Sequence, residues 1–158
     1  MTGIVCVGKL REKPYRQMAD EYLKRLSRYG TFQEMEVPDL PEPAHSSPAV
    51  EEQIREKEGA QILSKISPSD YVIAMTIRGK KRDSEDLARH LSGLRTQGKS
   101  RILFVIGGSL GLSPAVVHRA QEELSMSDMT FPHQLARVML LEQLYRCEKI
   151  NANERYHK

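Results

Sequence analysis

The chain has 158 residues, 39% hydrophobic and 28% charged, a balance that fits one globular domain with a core large enough to need no disulfide staple. A formal net charge of +3 is too mild to imply nucleic acid by itself, and no apolar run is long enough to span a bilayer. The first ten residues carry only a short apolar patch, without the longer core and cleavage site of a signal peptide, so a cytoplasmic location is expected.

In chain order, residues 4–7 read as a first strand. Tyr15, Met18, Ala19, Tyr22, Leu23 and Leu26 then recur at helical spacing, opposite Arg16, Asp20, Glu21, Lys24 and Arg25. Gly30 stops that helix, and residues 32–37 alternate as a second strand. Pro38, Pro41, Pro43 and Pro48 make residues 38–48 a mobile surface loop. Ser47 and Pro48 are a helix cap and first position, opening a second helix over residues 50–66. A third strand is predicted over residues 71–75, and a third helix runs from a cap at Asp83 or Ser84 to a stop at Gly98.

Residues 102–106 are unbroken Ile-Leu-Phe-Val-Ile, the pattern of a strand buried on both faces. Ser113 and Pro114 begin a fourth helix, with Leu112 and Val117 placed to staple its start. Residues 124–127 form a short fifth strand, and a last helix runs from Pro132 to about Ile150. This alternation predicts an α/β fold: one domain over residues 1–158, a mainly parallel sheet and helices on both faces. Ligands of such sheets bind beyond the carboxyl ends of the strands, here after Met75, Ile106 and Ser127.

The loop after the fourth strand reads Gly107-Gly108-Ser109-Leu110-Gly111-Leu112. Glycines let backbone approach a ligand or simply make a tight turn. A nicotinamide fingerprint fits poorly, because the spacing is G-G-x-x-G and the loop does not follow the first strand. The segment from Ser125 to His133 mixes apolar side chains with backbone donors, as an adenine slot requires. His133 alone is as consistent with a cap or surface group as with a catalyst. The last helix is apolar nearly all round, which points to burial on several sides and, for a terminal helix, to a subunit interface that includes Leu141. Arg137 and Arg146 on it need partners. Arg78, Lys80, Lys81 and Arg82 form either a solvated loop or a phosphate-contacting patch. Cys6 and Cys147 lie far apart without a C-x-x-C pair and are expected to be buried thiols; no metal ligands are expected.

Several segments together resemble the ribosomal RNA large subunit methyltransferase H family: Val5-Cys6-Val7-Gly8-Lys9, Glu21-Tyr22-Leu23-Lys24-Arg25, Glu36-Val37-Pro38, Lys57-Glu58-Gly59 and Ile77-Arg78-Gly79-Lys80. More specific are Phe104-Val105-Ile106-Gly107-Gly108, Met129-Thr130-Phe131-Pro132-His133, Leu144-Tyr145-Arg146 and the terminal Tyr156-His157-Lys158. The resemblance covers essentially the whole chain. It implies a SPOUT fold with a carboxyl-terminal trefoil knot and a homodimer in the cytoplasm. It also implies an S-adenosylmethionine-dependent enzyme that methylates N3 of a pseudouridine in 23S ribosomal RNA, on the large ribosomal subunit or the assembled ribosome.

Carried over, the cofactor contacts are Met75, Gly107, Met126, Ser127, Asp128, Met129, Thr130 and Phe131. Met75 stands where leucine is usual in the family, and Leu110 where a polar residue is common. Candidates for handling the acceptor's imide proton are His133, Arg137, Tyr156 and His157. Arg78, Lys80, Lys81, Arg82 and Lys158 are the expected RNA contacts. The rival readings are a non-catalytic RNA-binding dimer and a nucleotide-binding oxidoreductase.

Overall fold

The computed structural model describes residues 1–158. Five strands, β1 (Thr2–Val7), β2 (Phe32–Val37), β3 (Tyr71–Lys81), β4 (Ile102–Ile106) and β5 (Glu122–Ser125), lie in the order β2-β1-β4-β3-β5. Every pairing is parallel. The helices between and after them are α1 (Lys13–Leu26), α2 (Pro48–Leu63), α3 (Ser84–Thr96), α4 (Pro114–Arg119) and α5 (His133–Asn151).

The central strands are apolar on both faces because both faces are covered. Ile4 and Cys6 of β1, Ile73 of β3 and Ile102, Phe104 and Ile106 of β4 join the core shared with α1, α3 and α5. The alternate residues Val5, Val7, Val72, Leu103 and Val105 join a second core with Ile62 of α2 and Val116 of α4. Strand side chains point to opposite faces in turn, so a strand between two helical layers needs a hydrophobe at every position. Both cysteines are buried, and burial pushes each thiol up to about 12.

Two expectations are corrected. The third strand runs on past Met75 to Lys81, so the basic cluster lies on a strand and its end, not in a loop. β5 pairs with β3 in two registers, Met75 opposite Leu124 and then Lys80 opposite Leu124, with a bulge between. Gly79 permits the return: a Cβ there would stand 2.6 Å from the Leu124 backbone. The bulge hid the continuation, because residues 76–81 show no alternation of apolar and polar side chains.

The second correction concerns α5. Its all-round apolarity is used within the chain, since α5 packs against both α1 and α3. Leu141 is 1% exposed and belongs to the core. The part-exposed stripe of α5 is Leu135, Met139, Glu142 and Arg146, spaced about one turn apart.

Candidate active site

A pocket of about 830 Å³ opens at the carboxyl ends of β3, β4 and β5. Its walls are the middle of β3 from Met75 to Ile77, where it leaves β4, the glycine loop of residues 107–112 and the segment of residues 125–133. These are the three places where a parallel sheet leaves backbone free to meet a ligand. The lining contains no Asp, Glu, Lys or Arg.

The glycine loop is a closed turn. The Gly111 amide donates to the Gly108 carbonyl at 3.1 Å, and Gly111 holds φ +80°, a left-handed conformation that favours glycine. A Cβ on Gly107 would meet the Gly111 carbonyl carbon at 2.6 Å. Gly107 is therefore required by the turn itself as well as by any ligand, and Gly107→Arg would displace the loop. The amides of Leu110 and Leu112 donate to no atom of the chain, nor do those of Thr130 and Phe131 across the pocket. Ser127 organises the second wall: its hydroxyl accepts from the Met129 amide at 3.0 Å, and its carbonyl accepts from the Ser125 hydroxyl at 2.9 Å.

The Pro-rich loop is tied to this site. Glu58, 5% exposed, accepts from the Leu40 amide at 3.1 Å, and the Ser109 hydroxyl donates to Glu42 at 3.2 Å. Burial raises the Glu58 carboxyl above the usual carboxylate range, opposed by the Leu40 hydrogen bond.

Of the expected cofactor contacts, Met75, Gly107, Met126, Ser127, Met129, Thr130 and Phe131 line the pocket. Asp128 does not; its exposed carboxylate pairs with Lys81 outside. Thr76, Ile77, Leu112 and Val117 also line it, although the sequence reading assigned them no ligand contact.

The four proton-handling candidates separate. His133 lines the pocket, and its pKa is lowered by burial, with Asp39 opposing and Arg137 reinforcing the shift. Arg137, one turn on, is corrected from a group facing the acceptor to an interior anchor. It is 2% exposed, pairs with Glu34 and Glu36, and donates to the Gly8 carbonyl at 3.2 Å. Burial pulls its pKa down, but the hydrogen bonds to the two glutamates leave it raised.

Tyr156 and His157 are not at this pocket. The Tyr156 ring packs edge-on against Tyr145 at 4.9 Å, and its hydroxyl donates to Glu142 at 3.0 Å. Burial and that carboxylate push the phenol up to about 12. Arg146 finds its partner in Glu142 at 2.5 Å, covers the Tyr156 ring at 4.7 Å and reaches His157 Nδ1 at 3.3 Å. Arg146 is thus the organiser of the tail, a role its sequence motif alone did not assign.

The basic cluster also divides. Arg82 is corrected from a phosphate contact to an interior ion pair, because its side chain is 10% exposed and bonds Asp86 at 2.8 Å and Glu122 at 3.2 Å. Lys81 pairs with Asp128. Arg78, Lys80 and Lys158 are exposed, Lys158 on the tail.

Comparison with known proteins places this geometry. The family model described as "Predicted SPOUT methyltransferase" matches residues 1–157. A protein named "Ribosomal RNA large subunit methyltransferase H" from an Exiguobacterium species is 55% identical over 156 residues, 99% of this chain and 98% of its own length. Proteins of the same name from Shouchella clausii and Bacillus cereus are 53% and 52% identical; each alignment covers 98% of the relative, and 98% and 99% of this chain. A solved structure, "a probable methylase family protein" from Haemophilus influenzae, shares the fold with a TM-score of 0.56 at 14% identity, covering 99% of this chain and 70% of that one.

Proposed function

The chain belongs to the ribosomal RNA large subunit methyltransferase H family of SPOUT methyltransferases, and from that premise we propose that it transfers a methyl group from S-adenosylmethionine to N3 of a pseudouridine in 23S ribosomal RNA. The observation that carries the reading is the pocket: about 830 Å³, apolar and uncharged, with unpartnered amides on two facing loops. Such a lining fits an adenine held by backbone hydrogen bonds between apolar walls, and it places no cation against a sulfonium. The volume lies in the range of small-molecule sites.

S-adenosylmethionine, when bound, supplies an activated methyl group, so the chain's own task is to position the acceptor and remove its proton. His133 is the group suited to the proton. It stands on the pocket wall, and its lowered pKa keeps the imidazole neutral and able to accept at neutral pH. Backbone of the glycine loop and of residues 126–131 orients the donor. Arg137 acts through structure, fixing the first turn of α5 to the ends of β1 and β2.

The trefoil knot and the homodimer belong to the same proposal. The part-exposed stripe of α5, Leu135, Met139, Glu142 and Arg146, is the face for a second copy. Tyr145, on which Tyr156 packs, lies twelve residues along α5 from His133, about 18 Å at the helical rise. In the proposed dimer, a tail seated there serves the pocket of the other subunit.

The oxidoreductase reading is disfavoured by α4. It has six residues and begins at Pro114, whose missing N–H leaves a poor pyrophosphate cradle. Titration of the purified protein with S-adenosylmethionine and, separately, with a nicotinamide dinucleotide tests the cofactor; binding only of the latter overturns the reading. Mass spectrometry of 23S nucleosides from cells lacking the protein tests the product, and an unchanged methylpseudouridine level overturns the acceptor assignment.

A further inference from the structure

A second group of cations lies on the turn after β1 and the first residue of α1. Lys9 and Lys13 are exposed and have no ion-pair partner, whereas Arg11 between them is taken by Asp39 at 3.2 Å. Across the site, Arg78 and Lys80 of the β3 extension are likewise exposed and unpaired. The sheet order puts β1 and β3 on either side of β4. At about 4.8 Å per strand, the end of β1 and Ala74 of β3 are roughly 10 Å apart, with the end of β4 and its glycine loop between them, and the β3 extension that carries Arg78 and Lys80 runs on beside β5.

The β1 turn is fixed against the site by two contacts. The Gly8 carbonyl accepts from Arg137, one turn of α5 from His133, at 3.2 Å. A Cβ on Gly108 would lie 3.2 Å from Val7 Cγ1, so the end of β1 abuts the glycine loop. Of the nearby carboxylates, Asp39 pairs with Arg11, Glu42 and Glu58 are engaged by the Ser109 hydroxyl and the Leu40 amide, and Glu12, exposed beside Lys13, has no ion-pair partner and leaves this bank with a net charge of one from Lys9, Glu12 and Lys13. Ile77 and Met129, 52% and 70% exposed, are large apolar side chains left open to solvent at the mouth of the pocket.

We propose that an unpaired RNA strand crosses the carboxyl end of the sheet, its phosphates held by Lys9 and Lys13 on one bank and by Arg78 and Lys80 on the other, with the base between them resting on Ile77 and Met129. Two cationic banks flanking an apolar platform fit a nucleic-acid strand: phosphates take the charges and an unstacked base takes the platform. An acidic peptide would use the cations and leave the platform uncovered. The inference rests on the ribosomal RNA reading and adds Lys9 and Lys13 to it.

The test measures the salt dependence of binding to an oligouridylate single strand and, separately, to large ribosomal subunits, for the wild type and for K9Q/K13Q and R78Q/K80Q. Each pair is expected to reduce the slope of log affinity against log salt by about 1.4 for the single strand, the value for two phosphate contacts, and to weaken binding about tenfold or more at low salt. Affinity for S-adenosylmethionine, measured on the same variants, is expected to stay within about twofold, which also reports that they are folded. An unchanged slope in K9Q/K13Q beside a reduced slope in R78Q/K80Q would overturn the inference and leave the RNA reading standing. A wild type that binds S-adenosylmethionine but neither RNA probe would overturn the RNA reading itself. Competition by polyglutamate as effective as that by oligouridylate would overturn the choice of RNA as the strand.

Discussion

His133 and Arg137 are both basic residues of the first turns of α5, and only their surroundings tell them apart. His133 stands in the pocket wall with a pKa below the ordinary imidazole value of 6.5. The proposed role as base requires the neutral form, so methylation is expected to hold as pH falls through 6.5 and to fail only below it, which a pH–rate profile measures. The same depression means that the unfolded chain binds more protons, so stability declines as pH falls from the unfolded pKa to the lower folded one. H133Q should lose about a hundredfold in methyl transfer while keeping cofactor affinity, as calorimetry would report. Arg137 predicts the opposite pattern. R137M leaves Glu34 and Glu36 with only the part-exposed Arg16 as partner, so the cost should lie at or below the lower end of about 3–5 kcal/mol, visible as a fall in the denaturation midpoint before any assay of turnover. A stable R137M enzyme with slowed chemistry would return Arg137 to the site.

At the scale of elements, α5 decides two questions. Its inner residues fill the core under α1 and α3, so L141E buries a charge at a position 1% exposed and should give insoluble or unfolded protein. Met139 is on the part-exposed stripe, so M139E should give a folded monomer by sedimentation with normal circular dichroism. A folded dimeric M139E would move the interface elsewhere. The β3 extension is the other informative element. Beyond its bulge, Ile77 lines the pocket and Arg78 is exposed beside it, while Arg82, just beyond, turns inward to Asp86 and Glu122. Neighbours in the sequence thereby serve different ends, two at the rim and one in the interior.

For the whole molecule, the tail packs on Tyr145 and Glu142 of α5, and none of its residues lines the pocket at the sheet end. Deleting residues 156–158 removes the Tyr156 packing on Tyr145 and the bond to Glu142, so some stability goes with it. Methylation should fall about a hundredfold, the size of losing one electrostatic or acid–base group, with cofactor affinity retained. Mixed dimers locate the defect. One subunit lacks the tail but keeps its pocket; the other keeps its tail but carries G107A, a methyl that meets the Gly111 backbone and spoils the loop. A tail acting on the partner completes the sound pocket, and near half of wild-type activity is expected. Activity near zero would place the tail on its own chain's pocket, against the proposal.

The alternation of periods in the sequence determined the α/β class and its parallel strands, because a strand covered on both faces must be apolar throughout, as residues 102–106 are. Recurrent short motifs determined the family and most of the pocket wall, since backbone-approach glycines and the stretch of residues 126–131 carry their signal locally. Pairing between distant charges was beyond it. Arg137 against Glu34 and Glu36, and Arg82 against Glu122, join residues 103, 101 and 40 positions apart, and a lone arginine in a motif looks the same whether it faces a ligand or a buried carboxylate. The continuation of β3 was hidden for a related reason: a bulge breaks the two-residue period, and only the neighbouring strand restores the register. Whether α5 was apolar for its own chain or for a partner depended on how many helices share one face of the sheet, a quantity fixed by tertiary packing alone.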